Sequence, residues 1–222
     1  MLSANIAEVL CLFVATIFMK VEFLTPVMIL WINLVTDSLP ALALGVEKVE
    51  KDIMNRPPRK AGQSLFAGHT GRNIIIQGVF QTILTMLSFC LGGYVLGSAF
   101  RPEVAMTMAF LTLSLIQLLH SYNSRSQTHS LFSSNPFSNK PLNYAMLAGL
   151  ALTAITFIPA FQSFMGMTML SLSEFAIAIG CAVAIIPLVE IQKIVEWMLR
   201  RKKNKSIVNY QTEQDLETEE QN

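Results

Sequence analysis

The sequence predicts an all-α fold: a polytopic membrane bundle of six transmembrane helices. Three observations predict it. Hydrophobic residues make up 52% of the chain and charged residues only 14%. The apolar residues gather into six segments, 2–19, 23–46, 73–99, 103–121, 142–162 and 173–198, most of them long enough to cross a hydrocarbon core of about 30 Å as helix. The basic residues fall mainly in the connections between segments and in the tail, which hides a marked division behind a net charge of +1. Dispersed in this way, the basic residues argue against nucleic acid as a partner.

Segment 2–19 would be about 27 Å long as a helix, so this first span reads as one that begins partway through. It is not a signal peptide, because it has no basic leader and Asn5 and Glu8 interrupt its apolar centre. The connection at 20–22 is very short, so the first two spans form a tight hairpin. Residues 47–72 make the longest connection and carry Lys48, Lys51, Arg56, Arg59, Lys60 and Arg72, with a non-helical turn at Arg56-Pro57-Pro58-Arg59. In the third segment, Gly93 and Gly97 have the small-xxx-small spacing that lets helices approach closely, and Gln77 and Gln81 read as hydrogen-bond partners for a neighbouring helix. The fourth carries Ser114, Gln117 and an interfacial His120. Pro159 marks the outer end of the fifth. In the sixth, Glu190, Lys193 and Glu196 can reach water or pair with one another.

Arg125 and Lys140 lie in the 122–141 connection and Arg200 to Lys203 follow the last span, whereas the alternate connections hold only Lys20 and Arg101. By the positive-inside rule, the loops 47–72 and 122–141 and the tail 199–222 are cytoplasmic, and six spans put both termini on that side. The acidic, polar end of the tail is expected to be disordered. Cys11, Cys90 and Cys181 lie within apolar segments without CxxC spacing, so neither a disulfide framework nor a thiolate metal site is indicated.

The chemistry concentrates in Asn33-Leu34-Val35-Thr36-Asp37-Ser38-Leu39-Pro40. Asn33, Thr36 and Asp37 fall at i, i+3 and i+4, on one helix face. A carboxylate at the bilayer centre costs on the order of 2.5–3.5 kcal/mol on insertion scales, so Asp37 is by default a functional candidate. Pro40 lacks an N–H and its ring clashes with the carbonyl four residues earlier, so the Thr36 carbonyl is expected to leave the helix pattern and become available as a ligand. Asn5 and Glu8 form a second half-site at i and i+3, brought by the hairpin to a depth similar to that of Asp37. Two carboxylates facing each other in a dry site repel unless one is protonated or a cation lies between them. Oxygens from Asn5, Glu8, Asn33, Thr36 and Asp37, with Gln117 as a further candidate, form a hard donor set suited to calcium. Soft metals would need thiolates or imidazoles. On chemistry alone, sodium, manganese and protons remain open.

At these residues the sequence resembles the C-terminal membrane region of P-type ATPases, and most of all the calcium pumps of the sarcoplasmic-reticulum type. The resemblance is carried by Ser-Ala-Asn-Ile-Ala-Glu (3–8), Leu-Trp-Ile-Asn-Leu-Val-Thr-Asp-Ser-Leu-Pro-Ala-Leu-Ala-Leu-Gly (30–45) and Asp-Ile-Met-Asn-Arg-Pro-Pro-Arg (52–59). It implies that the six spans correspond to the fifth to tenth helices of a ten-helix pump. It further implies that Asn5, Glu8, Asn33, Thr36 and Asp37 are calcium ligands, and that loop 47–72 couples the helices to a phosphorylation domain. Gln117 stands where two-site calcium pumps carry a glutamate, which implies a single calcium.

The chain holds no Asp-Lys-Thr-Gly-Thr phosphorylation motif, no nucleotide-binding region and no Pro-Glu-Gly-Leu ligand segment. It is therefore expected to be an N-terminally truncated or separately encoded portion of a pump, and to show no ATPase activity alone. No cofactor is expected in the chain itself, since ATP and magnesium belong to the complete pump. The expected partners are the bilayer, the missing N-terminal pump domains and a transported cation, calcium, with proton counter-transport. The expected location is the plasma or inner membrane. Two alternatives stand beside this reading: a non-enzymatic accessory or nonfunctional remnant, and a stand-alone channel or cation exchanger.

Overall fold

The computed structural model describes residues 2–47, 69–94, 100–125, 137–199 and 201, and among them it is helical without strands. The elements are α1 (Leu2–Val14), α2 (Pro26–Trp31), α3 (Ser38–Gly45), α4 (His69–Tyr94), α5 (Pro102–Asn123), α6 (Lys140–Ile155), α7 (Pro159–Met165), α8 (Leu172–Val183) and α9 (185–199). Two π-helical stretches interrupt the first hairpin, Ala15–Met19 after α1 and Ile32–Asp37 between α2 and α3. Among the described residues, five helical spans are long and apolar enough to cross a membrane: Leu2–Met19, Pro26–Gly45, Thr70–Tyr94, Pro102–Asn123 and Leu172–Leu199. The fifth apolar segment of the sequence is not one straight span, because α6 and α7 are bent by 85°. Pro159 is the first residue of α7, where its missing N–H costs no hydrogen bond, so the expected end of the span becomes a corner.

The bundle is organised on α5. Of its apolar window 89% is buried, against 28–39% in the other four spans. Helices α4, α6 and α8, with α3 and the π segment Ile32–Asp37, pack around it. The largest core cluster joins Phe23, Met28 and Ile32 of the hairpin to Phe89 of α4, Phe110 and Leu113 of α5, and Met165 beyond the corner. Exposed apolar side chains such as Leu30 and Leu34, each 64% exposed, mark faces that meet lipid or another helix.

Polar side chains set the element ends. Thr25 caps α2 by accepting the Met28 N–H, and its hydroxyl donates to the Met165 carbonyl at 3.0 Å, pinning the hairpin to α7. Asn139 caps α6 through the Leu142 N–H. Ser171 and Glu174 form a reciprocal capping box at the start of α8. Close approach depends on glycine at places beyond the expected ones. A Cβ on Gly78 would stand 3.1 Å from the Ser3 carbonyl on α1, and one on Gly149 would strike Leu118 of α5. Gly92 and Gly93 also allow contacts, with Met108 and Phe100, but Gly97 lies outside the described residues, as do most of loop 47–72, residues 126–136 and nearly all of the tail.

Candidate functional site

The first hairpin brings the two polar stretches together. Asn33 Nδ2 donates to both Glu8 carboxylate oxygens, at 3.0 and 3.2 Å, and to the Ile29 carbonyl at 3.0 Å. Glu8 is buried and lies within electrostatic reach of the Asp37 carboxylate. One Asp37 oxygen, Oδ1, is buried with no hydrogen-bond partner among the described residues. Thr36 is fully buried, and its hydroxyl reaches the Ile32 carbonyl at 2.8 Å and Gln117 Oε1 at 2.7 Å. Three helical segments thus contribute these groups: α1, the π segment and α5.

The local backbone explains why these groups project together. Between Ile32 and Asp37 the chain is π-helical where the sequence predicted an unwound break. The physical cause is the same, because the Pro40 ring cannot sit four residues above the Thr36 carbonyl in a regular α-helix. The chain meets that constraint by widening the helix instead of abandoning it. Side chains take up the disturbed carbonyls: Ser38 Oγ donates to the Asn33 carbonyl at 2.8 Å and Thr36 Oγ1 to that of Ile32. The result is a widened, polar segment within an apolar span.

Of the six candidate residues, Glu8, Asn33, Thr36, Asp37 and Gln117 converge, and Asn5 does not join them. Asn5 lies exposed on α1, one turn before Glu8. Gln77 and Gln81, expected to bond to a neighbouring helix, belong to a longer polar seam that sequence reasoning did not anticipate. On α4, Asn73, Gln77, Gln81, Thr85 and Ser88 are all buried, at spacings of three or four that place them along one face. Ser88 meets Thr112 of α5 at 2.7 Å, and Gln81 Nε2 donates to Ser3 Oγ at 3.4 Å. His120, expected at the interface, is instead 3% exposed and stands 3.3 Å from Ser3 Oγ. The correction has a simple cause, since α5 is the central post and its C-terminal end is enclosed by neighbours. Only the spacing of polar residues in α4 signalled the seam in advance.

Toward the C-terminal end of the last helix the expected pairing is present. Lys193 Nζ lies 3.3 Å from Glu190 Oε1 and donates to the Asn123 carbonyl. Glu196 accepts from Asn73 of α4 at 3.1 Å and pairs with Arg72 at 3.4 Å. A further ion pair joins Arg125 to Glu47, just beyond α5 and α3.

Comparison with known proteins shows the family. Residues 21–195 match the family described as cation transporting ATPase, C-terminus. The chain is 37% identical over 203 residues to calcium-transporting ATPase 1 of Bacillus cereus, covering 85% of this chain and 22% of that protein. It is 35% identical over 195 residues to a calcium-transporting ATPase of Listeria monocytogenes, covering 87% of this chain and 22% of the relative. An endoplasmic-reticulum-type calcium-transporting ATPase of Arabidopsis thaliana is 32% identical over 164 residues, 63% of this chain and 16% of that protein. The chain thus spans about a fifth of the length of the bacterial relatives it matches. With apolar spans of this length and a family match over most of its residues, it is an integral, multi-pass membrane protein, and it belongs to the cation-transporting ATPase family over the C-terminal membrane region.

Proposed function

We propose that the chain is the membrane-embedded cation-binding and translocation portion of a calcium-transporting P-type ATPase. The observation that carries this reading is the contact of Asn33 with Glu8 and of Thr36 with Gln117, next to the buried Asp37 oxygen, at a π-helical segment inside an apolar span. Carboxylates at this depth are costly and characteristically serve ion pathways. The bacterial relatives carry calcium-transporting in their names. The donors are all oxygens once the amides turn, and they come from elements that can move relative to one another, as a flexible calcium site requires.

The contacts suggest how the site exchanges its cargo. Asn33 presents its amide N–H groups to the Glu8 carboxylate, a hydrogen-bonded arrangement that satisfies the acid without a metal. A calcium ion bound by Glu8 displaces that contact, and rotation of the Asn33 amide turns Oδ1 toward the ion. When the ion leaves, protons on the carboxylates relieve their mutual repulsion, which makes proton counter-transport the natural partner of calcium release. Asn5, exposed on α1, and Asn33 and Asp37, half-buried, leave the site open on one side. Helices of the preceding pump domains, supplying further oxygens, would close it and deliver the drive from ATP. Gln117 offers a neutral amide where a second carboxylate would favour a second ion, so one calcium is bound. Both termini face the cytoplasm, in a plasma or inner membrane.

The test is calcium uptake into vesicles by a pump in which this chain replaces the matching C-terminal region of the Bacillus cereus relative. Asp37→Asn and Glu8→Gln should each abolish ATP-driven uptake while the protein still inserts. Uptake unchanged in both would show that the polar bend is a packing feature.

A further inference from the structure

The cluster around Glu47 lies outside the ligand set, yet it joins the same helices. The Glu47 carboxylate receives a forked pair of bonds from Arg125, Nη2 to Oε1 at 2.9 Å and Nε to Oε2 at 3.0 Å. Asn139 Nδ2 donates to Glu47 Oε2 and, at 3.3 Å, to the Ala43 carbonyl, while Asn139 Oδ1 caps α6. Arg125 Nη2 also donates to Ser138 Oγ at 2.7 Å. The end of α3 is thereby tied to the end of α5 and the start of α6. A forked guanidinium–carboxylate contact fixes orientation as well as distance.

We propose that the Glu47–Arg125–Asn139 cluster is a positioning latch for the cation site, setting the rotational register in which Thr36 and Asp37 face Gln117 and Glu8. The chain is tied to the α5 side at both ends of α3, by Thr36–Gln117 before it and Glu47–Arg125 after it. The two ties stand about 12 Å apart along α5 and about 16 Å along the other strand of the pair, at 1.5 Å per residue. Between them runs α3, only eight residues long and headed by the π segment. A slip of one residue within that wide segment would shift α3 by about 1.5 Å and turn it by about 100°. Such a turn would carry Asp37 away from Glu8. Two ties forbid it, whereas one tie near the soft segment does not. Glu47 and Arg125 stand two to three turns beyond Thr36 and Gln117, so they act through α3 as positioning residues.

This inference rests on the cation reading of the site, and the experiment separates the two. The full chain, with Cys11, Cys90 and Cys181 replaced by alanine, is placed in lipid nanodiscs carrying Thr36→Cys and Gln117→Cys. The rate at which a short bifunctional thiol reagent joins the pair reports the register. A second pair, Ser88→Cys with Thr112→Cys, reports the α4–α5 contact away from the latch. Glu47→Gln should slow the first pair by about tenfold, as expected for loss of a coupled contact of ordinary strength, and leave the second unchanged. The exchanged pair Glu47→Arg with Arg125→Glu should restore the first. An unaltered rate for the first pair in every latch variant overturns the proposal. Loss of both pairs together overturns it too, since the cluster would then serve folding alone. In the chimeric pump, calcium affinity should fall in Glu47→Gln and recover in the exchanged pair. Slowed cross-linking with calcium binding unaffected even by Asp37→Asn would instead sink the cation reading, and the latch's role with it.

Discussion

Replacing Glu47 by glutamine should destabilise the chain measurably, by an amount the structure bounds. Each charge-assisted bond to a sheltered partner is worth roughly 1.5–3 kcal/mol, whereas a fully exposed ion pair contributes about 0–1 kcal/mol. The Glu47 side chain is 21% exposed and that of Arg125 12%, so the pair sits between these limits. Glutamine keeps a carbonyl oxygen but loses the charge and half the fork, which gives an expected loss of about 1–2 kcal/mol, a factor of 5–30 in the unfolding equilibrium. The pH dependence follows from the direction of the titration. The Arg125 guanidinium, bonded to the carboxylate, holds Glu47 below its ordinary value of 4.5; burial opposes this and Asn139 assists it. Stability from a depressed carboxylate is fully present above the unfolded value and is lost as pH falls through the folded one. The gap between the native chain and Glu47→Gln should therefore be flat from about pH 6 to 8 and shrink below about pH 4. Unfolding by sodium dodecyl sulfate in mixed micelles, followed by helix signal across pH, measures it. A gap near zero at neutral pH, or one that widens toward acid, would refute the reasoning.

Two further predictions concern packing and capping. Gly78→Ala places a methyl against the Ser3 backbone carbonyl, which cannot step aside as a flexible side chain would. The same unfolding assay should show a loss of about 1–3 kcal/mol, the usual range for overpacking. Ser171→Ala removes the side chain that accepts the Glu174 N–H and breaks the capping box, and should cost about 0.5–2 kcal/mol, with hydrogen exchange at the first turn of α8 rising above that elsewhere in the helix.

Much of this molecule can be read from its chain because a bilayer leaves few choices. Apolar runs must be helices, and a three-residue connection such as 20–22 must make a hairpin, so the approach of Asn33 to Glu8 follows from order and spacing alone. Thr36 and Gln117 also meet as the donor set suggested, although 81 residues separate them. What escaped reading depends on three-dimensional enclosure. His120 looks like an interfacial residue from its place near the end of a span, and only the central position of α5 buries it. The corner between α6 and α7 needs the pinning of Thr25 to Met165, a contact across 140 residues that no local pattern records. The pairing of Glu47 with Arg125 joins two connections whose charges had been read only as topology signals. The π segment shows the limit of a local rule: Pro40 forbids the regular helix, but it does not dictate whether the backbone unwinds or widens.

The account stands most directly on calcium binding at the polar bend. Equilibrium binding of radioactive calcium to membranes holding the chimeric pump, with magnesium and sodium in excess, measures it without ATP. The account predicts saturable binding of one ion per pump, lost in both Glu8→Gln and Asp37→Asn and retained in Glu190→Gln, whose carboxylate pairs with Lys193 away from the site. Saturable calcium binding that survives both Glu8→Gln and Asp37→Asn would contradict it.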